Sequence, residues 1–146
     1  MDDRNPIVRI GDSLRELNRV FFHVTRRDCE EFGITPIQFL ALRVLKQYPR
    51  IGLNELSELM HSGASTVSGV VDRLVQAGFI ERERLEKDRR AVELNLSSAG
   101  NEMVEQMNDR ILDRLSPLLT LSEEDIGHLL RVQGKIIDLL QNGEDK

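Results

Sequence analysis

STVSGVVDRLVQAGFIERERLEKDRRAVELNLSSAG, residues 65–100, decides how the chain folds. It reads as an amphipathic helix, a turn, a strand, a charged tip, a second strand and the start of another helix. Val67, Val70, Val71 and Leu74 recur at helical spacing on one face, while Ser65, Thr66, Ser68, Asp72, Arg73 and Gln76 fall largely on the other. Gly78 can supply the left-handed residue that ends the helix, and Phe79-Ile80 opens the first strand. Residues 79–84 and 91–96 alternate in part between apolar and polar, with Val92, Leu94 and Leu96 pointing one way. The tip, Leu85 to Arg90, is too charged to bury and holds no glycine, which predicts a loop longer than a two-residue turn.

Upstream, Leu53 to Met60 forms a short helix with Leu53, Leu56, Leu59 and Met60 inward, and Ser62-Gly63 separates it from a helix over Ala64 to Ala77. Two short helices joined by a glycine-containing turn make a helix-turn-helix, with Ser62 or Ser65 as the expected N-cap of the second. Thr35-Pro36 starts an earlier helix through IQFLALRVLKQY, which is apolar on nearly all sides and so belongs in the middle of the domain; Pro49 and Gly52 end it. The first helix begins at residue 6 and carries Ile7, Ile10, Leu14, Leu17, Phe21 and Val24 at intervals of three and four. That stripe suits an ordinary core-facing helix and equally a seam across a dimer. Downstream, Ser97 and Gly100 open a helix that runs to Pro117, and Ser122 caps a final helix with Glu123, Glu124 and Asp125 in its first turn.

Composition removes several classes of function. Aromatic residues make up 4% and there is no Trp, so a stacking platform for single strands is not expected. MDDRNP is acidic where a secretory signal is basic, no apolar run reaches membrane length, and a single Cys29 cannot form an internal disulfide; a cytoplasmic protein with no membrane partner is expected. His23, His61 and His128 lack metal-ligand spacing, and neither a glycine-rich phosphate loop nor a nucleophile elbow is present. The chain is therefore not expected to be an enzyme or to carry a cofactor or metal.

The net charge of -5 argues at first against a nucleic-acid partner, but its distribution matters more. Residues 1–60 hold nine acids and nine bases, residues 61–100 six of each, and residues 101–146 ten acids and five bases. The whole deficit sits in the C-terminal segment. A locally basic hairpin tip can then bind DNA, more salt-sensitively than a strongly basic protein would.

The order of helices, recognition helix, hairpin and further helices resembles the MarR family of winged helix-turn-helix regulators over almost the full length. GITPIQFLALRVL (33–45), STVSGVVDRLVQAGFIER (65–82) and KDRRAVELNLSSAG (87–100) carry the resemblance, with Asp88-x-Arg90 matching the family's wing signature. It implies a mostly α fold: a winged helix-turn-helix with a two-stranded antiparallel wing, room for a short third strand, and N- and C-terminal dimerisation helices. Residues 1–146 would form one domain, with 1–32 and 98–141 as dimerisation helices and 33–97 as the DNA-binding lobe.

Ser65, Thr66 and Ser68 in the first turns of the recognition helix can bond to base edges or phosphates, or serve only as caps. Arg73 can reach a phosphate, or pair with Asp72 or Glu81 to fix the helix against the wing. By resemblance Arg90 is the minor-groove arginine and Asp88 orients the tip, with Lys87 and Arg89 on phosphates; Arg82 and Arg84 are strand positions of which one faces the duplex. A solvated hairpin is the bland alternative for all of these cations. Where many relatives carry a basic residue this chain has Gly69, which removes a base or phosphate contact and weakens the helix by roughly 1 kcal/mol relative to Ala, so that no relative's operator sequence carries over.

The function implied is a double-stranded DNA-binding regulator, a ligand-responsive repressor acting as a homodimer on a pseudo-palindromic operator. Its effector would be phenolic or otherwise amphipathic. Phe22 and Phe39 offer apolar surface for it, although a core position explains both. The competing readings are a dimeric winged-helix interaction module without specific DNA binding, for which the acidity speaks, and a thiol-based redox sensor using Cys29. Against the latter, Cys29 lies between Asp28 and Glu30, which should raise its pKa, with Arg26 and Arg27 softening the effect.

Overall fold

The computed structural model describes residues 5–85 and 88–143, with the side chains of 88–90 outside that description. The elements run α1 (Pro6–Phe32), α2 (Pro36–Gln47), α3 (Leu53–Leu59), α4 (Ala64–Gln76), β1 (Ile80–Leu85), β2 (Asp88–Leu96), α5 (Ser98–Leu115), a 3-10 turn (Ser116–Thr120) and α6 (Glu123–Gln141). They divide into two compact units, Met1–Leu112 and Asp113–Lys146. Among the described residues no helix is long and apolar enough to cross a membrane.

In the first unit, α2 starts where Thr35-Pro36 places it. The Gln38 N–H donates to Thr35 Oγ1 at 3.3 Å, and the Thr35 N–H donates to Gln38 Oε1 at 2.9 Å, a reciprocal cap that satisfies two N–H groups with no helical partner. Ala41, Leu42 and Leu45 of α2 pack in one core with Leu56 of α3, Val67, Val71 and Leu74 of α4, Ile80 and Leu94 of the hairpin, and Val104 and Met107 of α5. Full burial of a side chain the size of Leu contributes about 1.5–3 kcal/mol. The expected apolar face of α4 is buried as a set: Val67, Val70, Val71 and Leu74.

Three local expectations are corrected. The N-cap of α4 is Gly63, with no side-chain cap; Ser62 stands one residue too early and donates to the Met60 carbonyl, while Ser65 already lies inside the helix. The charged tip is mostly strand. β1 and β2 pair antiparallel from Ile80↔Leu96 to Arg84↔Val92, then shift register to Leu85↔Asp88, so only residues 86–87 lie between the strands and an irregularity takes up the extra residues of β2. Phe22 is not in the core: it is 51% exposed, whereas Phe39 is 2% exposed.

The hairpin is anchored at its base. Among the described residues the sheet has two strands, and where a short third strand has room there is an isolated bridge, Ile51↔Leu94, with the Leu94 N–H donating to the Ile51 carbonyl at 2.8 Å. Beside it Arg50 holds φ +62°, a conformation costing a non-glycine residue about 1 kcal/mol or more. Its N–H donates to Asn95 Oδ1 at 3.0 Å and its Nε to Glu93 Oε2 at 3.2 Å, which straps the α2–α3 connection to β2. At the other edge, Gly78 takes φ +81° to turn from α4 into β1, and its carbonyl accepts from the Ser97 hydroxyl ahead of α5.

α1 joins the core only near its C-terminal end, through buried Asp28 and Cys29. The stripe Ile7, Ile10, Leu14, Leu17 and Phe21 is 38–76% exposed, so the core-facing reading does not describe it in the single chain. In the second unit, Ser122 Oγ accepts from the Asp125 N–H at 3.1 Å to start α6, none of whose residues is buried.

Candidate nucleic-acid interface

α4 and the hairpin present polar groups on adjoining surfaces because one side of each is committed to the core. With Val67, Val70, Val71 and Leu74 inward, Ser65, Thr66, Gly69, Asp72, Arg73 and Gln76 are exposed. Ser68 is half-buried, on the flank of that face rather than its centre. Among the hydroxyls expected to touch a ligand, Ser65 and Thr66 are therefore the outward pair.

An ion pair ties the helix to the hairpin. Arg82 of β1 donates to the Asp72 carboxylate of α4. Sequence neighbourhood suggests Arg73 as the partner of Asp72; the structure instead supplies the strand arginine ten residues on, and Arg73 stays exposed. Neutralised this way, Asp72 presents less repulsion to a polyanion. Arg84 is exposed and lies two residues further along β1, hence on the same face of the hairpin as Arg82 and the α4 side. The backbone of Asp88, Arg89 and Arg90 begins β2, while their side chains, and Lys87 altogether, lie outside the described residues.

A second feature opens on the same unit. A cavity of about 340 Å³ lies between α1 and α2, walled by Phe21, Phe22, Phe39 and Leu40, with Asn18, Thr25, Arg43 and Ser62 as its polar residues. Its volume falls in the range of small-molecule sites. The Arg43 guanidinium sits 5.8 Å from the centre of the Phe39 ring, one helical turn back on the same face. The sequence points to Phe22 and Phe39 but not to Arg43, whose four-residue offset from Phe39 is the available signal.

Cys29 has surroundings opposite to those of a reactive thiol. It is fully buried, and burial first, then the Asp28 and Glu30 carboxylates, push its pKa up to about 11. Because the folded value lies above the ordinary thiol value of 9.0, the folded state holds the thiol proton more tightly. That stabilisation is present below about pH 9 and is lost as pH rises towards 11. Alkylation by N-ethylmaleimide at pH 7 is accordingly expected to run at least about a hundredfold slower in the native protein than in the urea-unfolded chain, from thiolate fraction alone. Equal rates would restore the thiol to consideration as a sensor. Among the described residues no group of three or more His, Cys, Asp or Glu could hold a metal ion.

With this geometry in view, the sequence model of the MarR family matches residues 34–92, which run from the end of the α1–α2 connection into β2. The chain is 30% identical over 118 residues to the HTH-type transcriptional repressor MdtR of Bacillus subtilis (strain 168), covering 79% of this chain and 75% of that protein. Its fold is similar to that of a mutant MarR from E. coli complexed with operator DNA, at TM-score 0.78 and 24% identity, over 93% of this chain and 99% of that one. It is similar also to a Staphylococcus aureus MarR in complex with salicylate and kanamycin, at TM-score 0.84 and 20% identity, over 92% and 91% of the two chains.

Proposed function

This chain belongs to the MarR family and is a non-enzymatic, DNA-binding transcriptional regulator, and on that premise we propose that it is a cytoplasmic repressor acting as a homodimer on a pseudo-palindromic operator and released by a small amphipathic ligand. The observation that carries the reading is the exposed polar face of α4 joined to the hairpin by Arg82–Asp72, which lets helix and wing address one duplex as a unit. Two-fold symmetry would set two such helices about 34 Å apart, one turn of DNA. Ser65, Thr66 and Arg73 face the major groove, Ser68 lies at its margin, and Arg84, Lys87 and Arg89 line the phosphates. Arg90 enters the minor groove, held by Asp88.

The cavity between α1 and α2 supports the ligand-responsive part. Aromatic walls with one guanidinium suit an amphipathic aromatic acid, and the relative bound to salicylate is a protein of this fold. Such a ligand acts by favouring a lobe spacing that misses successive major grooves, and shifts the population only by its differential affinity for that state.

Selection from a pool of randomised duplexes of about three helical turns, followed by titration at several salt concentrations, tests the reading. Sequence enrichment and a log–log salt slope of about -0.9 per phosphate contacted are expected. Arg90→Ala should weaken binding to the selected duplex about tenfold or more while the oligomeric state is unchanged. Unaltered affinity would return the tip to a solvated hairpin, and absence of any enriched sequence would favour an interaction module over a specific regulator.

A further inference from the structure

We propose that Gly69 determines the operator preference of this protein by letting the bare backbone of α4 seat against base edges in the major groove. The inference rests on the DNA-binding role of α4 and goes beyond it to a residue with no side chain. At about 3.6 residues per turn, Gly69 occupies the centre of the exposed face, with Ser65 and Arg73 about 40° to either side and Thr66 and Asp72 about 60° away. Each of these flanking residues is exposed.

Nothing in the fold asks for glycine at this position. A Cβ built there meets no atom within 4 Å, and the backbone does not take the left-handed conformation that side chains avoid. Gly100, by contrast, has a backbone carbonyl where its Cβ would go. Gly127 and Gly134 of α6 are as open as Gly69, so it is not the open space alone but the place of Gly69 at the centre of the exposed α4 face, where a glycine weakens the helix, that ties it to what this face meets.

The flanking chemistry says what it meets. Ser65 and Thr66 carry their hydroxyls only two bonds from the backbone, so they reach base edges only if the helix axis comes close. A side chain at the centre of the face would act as a spacer and lift both hydroxyls away. The pairing of Asp72 with Arg82 removes the other obstacle to close approach, an uncompensated acid on the same face.

The test is Gly69→Ala, which adds one methyl group into open space. Full-length wild type and variant are each taken through selection from the same randomised duplex pool, and each is melted without DNA. The variant is expected to melt a few degrees higher and to bind the wild-type consensus about 10- to 100-fold more weakly, with an altered preference at the base pairs under the middle of each helix. Higher stability with the same consensus and the same affinity would overturn the proposal. A lower melting temperature would also overturn it, because the fold itself would then require the glycine. If wild type enriches no sequence at all, the specific-regulator reading fails and this inference fails with it, an outcome distinct from a consensus that Gly69→Ala leaves untouched.

Discussion

Gly100→Ala is expected to destabilise the protein by about 3 kcal/mol or more, lowering its melting temperature by about 10 °C. A Cβ at this position would lie 2.1 Å from the carbonyl oxygen of Phe79 and 3.0 Å from its carbonyl carbon. Both are backbone atoms, so no rotamer change relieves the clash; α5 or the α4–β1 turn must move. That turn is already fixed on several sides. The Ser97 hydroxyl donates to the Gly78 carbonyl, the Ser97 N–H donates to Phe79 O at 3.0 Å, and the Gly100 N–H donates to Ser97 Oγ at 3.0 Å. Shifting α5 outward would strain these bonds and pull Val104 and Met107 from the core. Thermal and urea melts check the expectation, and a melting temperature within about 2 °C of wild type would show that the α5 start slides freely.

What the sequence reveals and what it conceals divide along physical lines. Signals confined to one element are legible: the Thr35-Pro36 start of α2, the Ser122 cap of α6, the four-residue buried face of α4, and the left-handed Gly78. Each depends on neighbours within about one helical turn, so the local sequence determines it. Features requiring two elements to meet are not. The partner of Asp72 is Arg82, across the turn, and the reason for Gly100 is the Phe79 carbonyl of the preceding segment. The expected Ser62 and Ser65 caps miss the true N-cap by one and two residues, a margin that sequence patterns do not resolve. The charge of the hairpin tip predicts a loop, yet strand pairing is a backbone property that exposed charged residues satisfy readily at an edge. Of the candidate interface, the helix face is readable from periodicity. Its coupling to the wing and the cavity beside Arg43 are not, since both arise from packing between distant segments.

The double substitution Ile10→Glu, Leu17→Glu is expected to abolish the proposed homodimer and lower apparent operator affinity by about 100-fold or more. These residues lie seven apart on one stripe of α1 and are 50% and 52% exposed, so the folded core does not depend on them. A soluble protein rarely leaves so continuous an apolar stripe open to water, and a second copy covers it most simply by the same stripe related by a two-fold axis. Placing carboxylates there forces them either to be buried without partners or to hold the helices apart, and both outcomes oppose association. Loss of the dimer then acts on DNA through linkage: two joined helices bind their half-sites at high effective concentration, and separate protomers do not. Sedimentation equilibrium reads the first effect and titration of the selected duplex the second. A circular dichroism spectrum retaining the helices separates dissociation from unfolding. A variant that remains dimeric would place the interface away from this stripe, whereas a monomer with undiminished operator affinity would remove two-fold symmetry from the recognition mechanism.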